Sequence, residues 1–163
     1  MYIFYTDGAT SSNGQENALG GWAWIEIKDG EVVCTNMYHM GYVTNNICEL
    51  SAVIDACKNA EANNLENGVE EECTIYTDSA YVVNCYEQKW YKNWQANGWL
   101  NSKNQPVANR KLWEELIPFF EKTNYHFEKV AGHSGDKYNE LVDRMAVAAK
   151  NPNFNIEEFD CFG

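Results

Sequence analysis

No stretch of the 163-residue chain is apolar for more than five residues in a row, the longest runs being Met1 to Tyr5 and Met145 to Ala149. A membrane-spanning helix needs ~20 such residues, so none is expected. The start has neither a basic n-region nor a long apolar h-region, and export is not expected. No Cys-x-x-Cys occurs among Cys34, Cys48, Cys57, Cys73, Cys85 and Cys161, which argues against a zinc site. With 45% hydrophobic residues the chain needs no disulfide framework, so its cysteines read as reduced and mostly buried small hydrophobes. Long linkers, low-complexity blocks and internal repeats are missing too. The chain reads as one cytoplasmic domain spanning residues 1–163.

Positive charge is also scarce. Twelve Lys and Arg face 24 Asp and Glu, a net charge of −12 that speaks against a nucleic-acid partner, whose affinity comes largely from cations. The distribution alters that view. Between Glu87 and Glu114 there is no acid at all, while Lys89, Lys92, Lys103, Arg110 and Lys111 fall there. That segment carries +5, and the rest of the chain, with seven cations against 24 acids, carries −17. A basic island sits on an acidic body.

Residues 2–8, 21–28 and 31–42 are rich in β-formers and alternate, and Asp29-Gly30 between the last two is a strong hairpin signal. From Asn46 the period turns helical, with Ile47, Leu50, Val53, Ile54, Cys57 and Ala60 on one stripe that frays at Asn63-Asn64. A short strand at 73–78, a helix from Ser79, a helical excursion over the basic island, a strand at 124–131 and a closing helix through Tyr138, Leu141, Val142, Met145 and Ala149 complete the order. Three antiparallel strands followed by strands separated by helices predict an α/β fold with a mixed sheet. The tail from Lys150 carries Phe154, Ile156, Phe159 and Phe162 among acids, a pattern suited to packing back on the body.

One tripeptide occurs twice: Tyr5-Thr6-Asp7 and Tyr76-Thr77-Asp78 both end strands. If those strands are parallel neighbours, ~4.8 Å apart, the two carboxylates project side by side. Such a pair repels itself unless a cation or proton lies between, and its spacing suits a shared metal site. Taken singly, each candidate has a plainer reading. An Asp readily ends a strand, Glu49 would be a capping-box residue behind an N-cap Asn46, and Asp143 would be a solvated face residue of the last helix. His133, in the small-residue loop Ala131-Gly132-His133-Ser134-Gly135, could move protons near neutral pH. His39 and His126 alternate within strands and receive no role.

Taken together, Asp7-Gly8, Thr44-Asn45-Asn46-x-x-Glu49-Leu50, Thr77-Asp78-Ser79, Gly132-His133-Ser134-Gly135 and Asn139-Glu140-x-x-Asp143 resemble the motifs of type 1 ribonuclease H. The resemblance runs in order from about Tyr2 to Ala149 and takes in Trp90, Trp94, Gly98-Trp99 and Asn109 to Trp113. It implies a ribonuclease H-like five-stranded mixed sheet with helices on both faces and a basic protrusion at residues 88–113, followed by a tail at 150–163. The implied enzyme is a free-standing bacterial or viral form, a monomer without a hybrid-binding domain. It would cut the RNA strand of an RNA–DNA hybrid, leaving 5′-phosphate and 3′-hydroxyl ends.

Asp7, Glu49, Asp78 and Asp143 match the family's four carboxylates, with Asp7 bridging two Mg²⁺ ions, Glu49 and Asp78 completing one site and Asp143 the other. Mn²⁺ is an alternative. Carboxylate oxygens without nitrogen or sulfur suit Mg²⁺. His133 matches a residue that assists product departure or proton transfer. Thr44, Asn45 and Asn46 match positions that touch the hybrid's 2′-hydroxyls, and Asn13 is a further candidate. Lys89, Trp90, Lys92, Trp94 and Asn109 fall in the substrate-gripping protrusion, whose tryptophans would also anchor it to the body. Gln95, Ala96 and Asn97 leave that protrusion less basic than in many relatives. The alternatives are a superfold relative acting on DNA, an inactive hybrid-binding module or a reverse-transcriptase fragment. The hybrid-type Thr44–Asn46 motif argues against the first, and the four acids facing phosphate against the second.

Overall fold

The computed structural model describes residues 1–11, 18–130 and 136–158. Its strands are β1 (Tyr2–Thr10), β2 (Leu19–Lys28), β3 (Glu31–Tyr42), β4 (Cys73–Thr77) and β5 (Tyr125–Lys129). They form one sheet in the order β3-β2-β1-β4-β5, antiparallel among β1, β2 and β3 and parallel from β1 through β4 to β5. The helices are α1 (Asn45–Asn67), α2 (Ala80–Gln88), α3 (Trp90–Asn97), α4 (Arg110–Phe120) and α5 (Lys137–Ala149). The expected mixed sheet is present, with β1 at its centre.

Period-two alternation sorts the sheet's side chains between two cores. Phe4, Trp22, Trp24 and Ile75 face α1 and the helical excursion, meeting Leu50, Val53, Trp113 and Phe120. Ala23, Ile25 and Ile27 face the other way, against Leu141, Val142 and Met145 of α5. In the β2–β3 turn both Asp29 (φ 52°) and Gly30 (φ 80°) have positive φ, the requirement of the tight hairpin that Asp-Gly announces.

Two expectations about α1 are corrected. The helix starts two residues early, because Thr44 rather than Asn46 is the N-cap and its Oγ1 accepts from the Ile47 N–H at 3.3 Å. It also runs past Asn63-Asn64 to Asn67, closed by Gly68 at φ 63°. Asn64 is buried and serves the helix end, accepting from the Val69 N–H at 3.0 Å and, through Oδ1, from the Glu71 N–H at 3.3 Å. The described cysteines are mostly buried free thiols, as expected: Cys48, Cys57, Cys73 and Cys85 are buried, and Cys34 is exposed because β3 is an edge strand. In the tail, Phe154 packs on the α5 core as expected but Ile156 is exposed; Phe159, Cys161 and Phe162 lie outside the described residues.

Candidate active site

The register Thr6↔Thr77 of the parallel β1–β4 pair carries Asp7 and Asp78 off the same edge of the sheet. Glu49 reaches them from the fifth residue of α1, which is too far from the Thr44 cap to close a capping box. Gly8 is what lets α1 come this close: a Cβ there would lie 2.6 Å from both Cys48 Cβ and the Glu49 backbone nitrogen. At the far end of α5, a Cβ on Gly21 would lie 2.3 Å from the Ala149 carbonyl carbon, and His39 Nδ1 stands 3.0 Å from the Ala149 oxygen. These contacts seat α5 on β2 and β3, and with it Asp143.

The result is a convergence. Asp7, Glu49 and Asp78 each offer an oxygen, all within 4.8 Å of one another. Together with Asp143 they line a cavity of about 380 Å³, which Asn45, Asn46, Ser79 and Tyr81 complete. Burial, then the charges of Glu49 and Asp78, then a hydrogen bond with Asp143 push the Asp7 carboxyl far above the usual range. Burial and Asp78 likewise raise Glu49, against hydrogen bonds with Asp7 and the Gly8 N–H. Glu49 Oε2 is buried, and among the described residues it has no hydrogen-bond partner. An orphaned carboxylate oxygen among crowded acids is suited to coordinating a cation, and an all-oxygen donor set fits a hard divalent ion.

The other candidates are spread more widely. Asn45 and Asn46 line the cavity, and Thr44 stands beside them as the α1 cap. Lys89 joins α2 to α3 in the left-handed region at φ 55°. Trp94 anchors the protrusion, its ring centre 6.4 Å from Trp90, 5.7 Å from Trp99 and 5.6 Å from buried Trp113. The island's charge is partly spent on the body: Lys92 pairs with Glu121 at 3.5 Å and Arg110 with Glu114 at 3.0 Å. Asn109 leaves α4 without a side-chain cap and donates instead to the Tyr81 hydroxyl at 3.4 Å, which also accepts from Trp113 Nε1 at 3.1 Å. Tyr81, absent from the sequence-based candidates, thus ties the protrusion to the wall of the cavity. His133 and Asn13 lie outside the described residues.

Residues 1–151 match the RNase H family model. The chain belongs to the ribonuclease H family. Ribonuclease H of Clostridium botulinum (strain Hall) is 40% identical over 156 residues, covering 94% of this chain and 97% of that one. Among solved structures, LC9-RNase H1, a type 1 RNase H with the type 2 active-site motif, superposes with a TM-score of 0.74 at 25% identity, covering 91% of this chain and 71% of that one. LC11-RNase H1, solved in complex with RNA/DNA hybrid, superposes with a TM-score of 0.55 at 19% identity over 93% of this chain and all of that one, a likeness of fold. Ribonucleases H are metal-dependent hydrolases, and the acidic convergence of β1, α1 and β4 suits that chemistry.

Proposed function

We propose that this ribonuclease H hydrolyses the RNA strand of RNA–DNA hybrids with two Mg²⁺ ions held by Asp7, Glu49, Asp78 and Asp143, Mn²⁺ being able to replace them. The observation that carries this reading is the set of three carboxylates within 4.8 Å, one of them with a buried oxygen that no group among the described residues satisfies. When bound, the metal would supply Lewis acidity for activating water and stabilising the leaving oxygen, and the products would carry 5′-phosphate and 3′-hydroxyl ends. Asn45 and Asn46 donate to and accept from 2′-hydroxyls at the cavity rim, with Thr44 and Asn13 beside them. Lys89, Trp90, Lys92, Trp94 and Asn109 hold the DNA strand along the protrusion. His133 moves a proton or helps the product leave. The hybrid-bound LC11-RNase H1 supports the choice of substrate.

The enzyme acts as a cytoplasmic monomer with residues 1–163 as one domain; among the described residues no helix is long and apolar enough to cross a membrane. Labelled hybrid, double-stranded RNA and double-stranded DNA, each with Mg²⁺, Mn²⁺ or chelator, test the reading. Cleavage confined to the RNA of the hybrid and abolished by chelator is expected. Double-stranded DNA cut as fast as hybrid would refute it. Asp78→Asn should lose far more than tenfold in rate, the loss that ~1.4 kcal/mol would cause.

A further inference from the structure

Asn139 belongs to a sequence motif at the start of α5 and has no part in the mechanism above. It lies four residues before Asp143, one helical turn away on the same face. The residue is only 3% exposed, and among the described residues no group donates to its Oδ1. It lines a cavity of about 360 Å³ with Asp78, Glu140, Asp143 and Arg144. A buried amide oxygen with no donor among the described residues calls for one from elsewhere. Phosphate and carboxylate oxygens are themselves acceptors and cannot serve. The donor must bring an O–H or N–H, and for a residue only 3% exposed a water molecule is the smallest that can reach it.

We propose that Asn139 is a positioning residue whose Oδ1 accepts a hydrogen bond from a water on the divalent cation of the carboxylate site. This rests on the metal-dependent reading above. Mg²⁺ keeps several of its waters, and partners that orient them tune metal affinity. The amide is suited to the place because it accepts without charge. A further carboxylate beside Asp78 and Asp143 would add repulsion to a cluster already crowded with acids.

Calorimetric titration of Mg²⁺ into the metal-free full-length protein, without nucleic acid, tests this on wild type, Asn139→Leu and Asn139→Asp. Melting in chelator verifies that each is folded, and Asn139→Ala replaces the Leu variant if that one is not. Leu removes the acceptor and the orphaned oxygen together, so it should melt no lower than wild type yet bind Mg²⁺ roughly tenfold more weakly. Asp keeps an acceptor and adds charge, so it should bind at least as tightly as wild type. Wild-type Mg²⁺ affinity in the Leu variant overturns the proposal, as does an Asp variant that binds no better than Leu. In either case a wild type that binds Mg²⁺ and cuts hybrid leaves the functional reading standing. A wild type that does neither overturns both.

Discussion

Replacing Asp7 by Asn should stabilise the metal-free enzyme while removing its activity, and the gain should grow with pH. An Asn can keep the hydrogen bonds of the native side chain: Oδ1 accepts from the Gly8 N–H, now 2.9 Å from the Asp7 oxygen, and the two Nδ2 hydrogens can be donated to Asp143 and Glu49. What disappears is charge. Two like charges 4.8 Å apart repel by about 3.5 kcal/mol at an effective dielectric constant of ~20, and Asp7 faces two such neighbours. The folded protein evades this by holding a proton, because burial, Glu49 and Asp78 push the Asp7 carboxyl far upward. The unfolded chain releases that proton above its ordinary pKa of ~3.9, so it binds fewer protons than the native state. Wild-type stability therefore falls by about 1.4 kcal/mol per pH unit for each retained proton, until the raised native pKa is reached. Between pH 5 and pH 7 the advantage of Asp7→Asn should widen by about 3 kcal/mol, read as the difference between urea unfolding curves in chelator. Saturating Mg²⁺ should shrink it, since tenfold excess over Kd adds about 1.4 kcal/mol to the protein that binds. A difference that stays flat across pH, or a variant less stable than wild type at pH 7 in chelator, would sink the reasoning.

His133→Ala should lower turnover by roughly 10- to 10³-fold, the range for acid–base assistance, with hybrid affinity unchanged in a direct binding assay. Lys89, Lys103 and Lys111 should carry most of the island's grip, because Lys92 and Arg110 are paired with Glu121 and Glu114. Replacing those three by Gln in an Asp78→Asn background should flatten the plot of log affinity against log salt by about 0.7–0.9 for every phosphate that is no longer neutralised; unchanged affinity would place the substrate elsewhere. Gly8→Ala should destabilise the fold by ~1–3 kcal/mol and weaken Mg²⁺ binding, since its Cβ would collide with Cys48 and the Glu49 backbone. Calorimetry and chemical denaturation on the same sample check both effects.

The centre of the site is legible in the sequence because its signals are local. The repeated Tyr-Thr-Asp marks two strand ends, and the parallel register of β1 and β4 aligns them. Glu49 is ambiguous as long as Asn46 stands as the cap; Thr44 takes that position, and Glu49 moves two residues further into the helix, facing Asp7. Tyr81 and Asn139 are not legible as site residues. Asn109 and Trp113 meet Tyr81 across 28 and 32 residues of chain, a contact that no periodicity encodes. The significance of Asn139 lies in a donor it lacks, which emerges only when its surroundings are packed. The overrun of α1 has the same origin, because Asn64 reads as a helix breaker until its amide is seen holding the chain that follows.

The four acids are contributed by β1, α1, the end of β4 and α5, the last of which begins only at Lys137. The protrusion proposed to grip the substrate, by contrast, is complete by Phe120 and packs against the core on the opposite side of the sheet from α5. If it grips as proposed, a molecule in which α5 has come loose would retain its hold on nucleic acid while losing Asp143. Such a molecule would not merely fail to contribute; it would occupy a hybrid and shield it from intact copies. In a mixed population, partial unfolding would act as a competitive inhibitor, and activity would fall faster than the number of intact molecules.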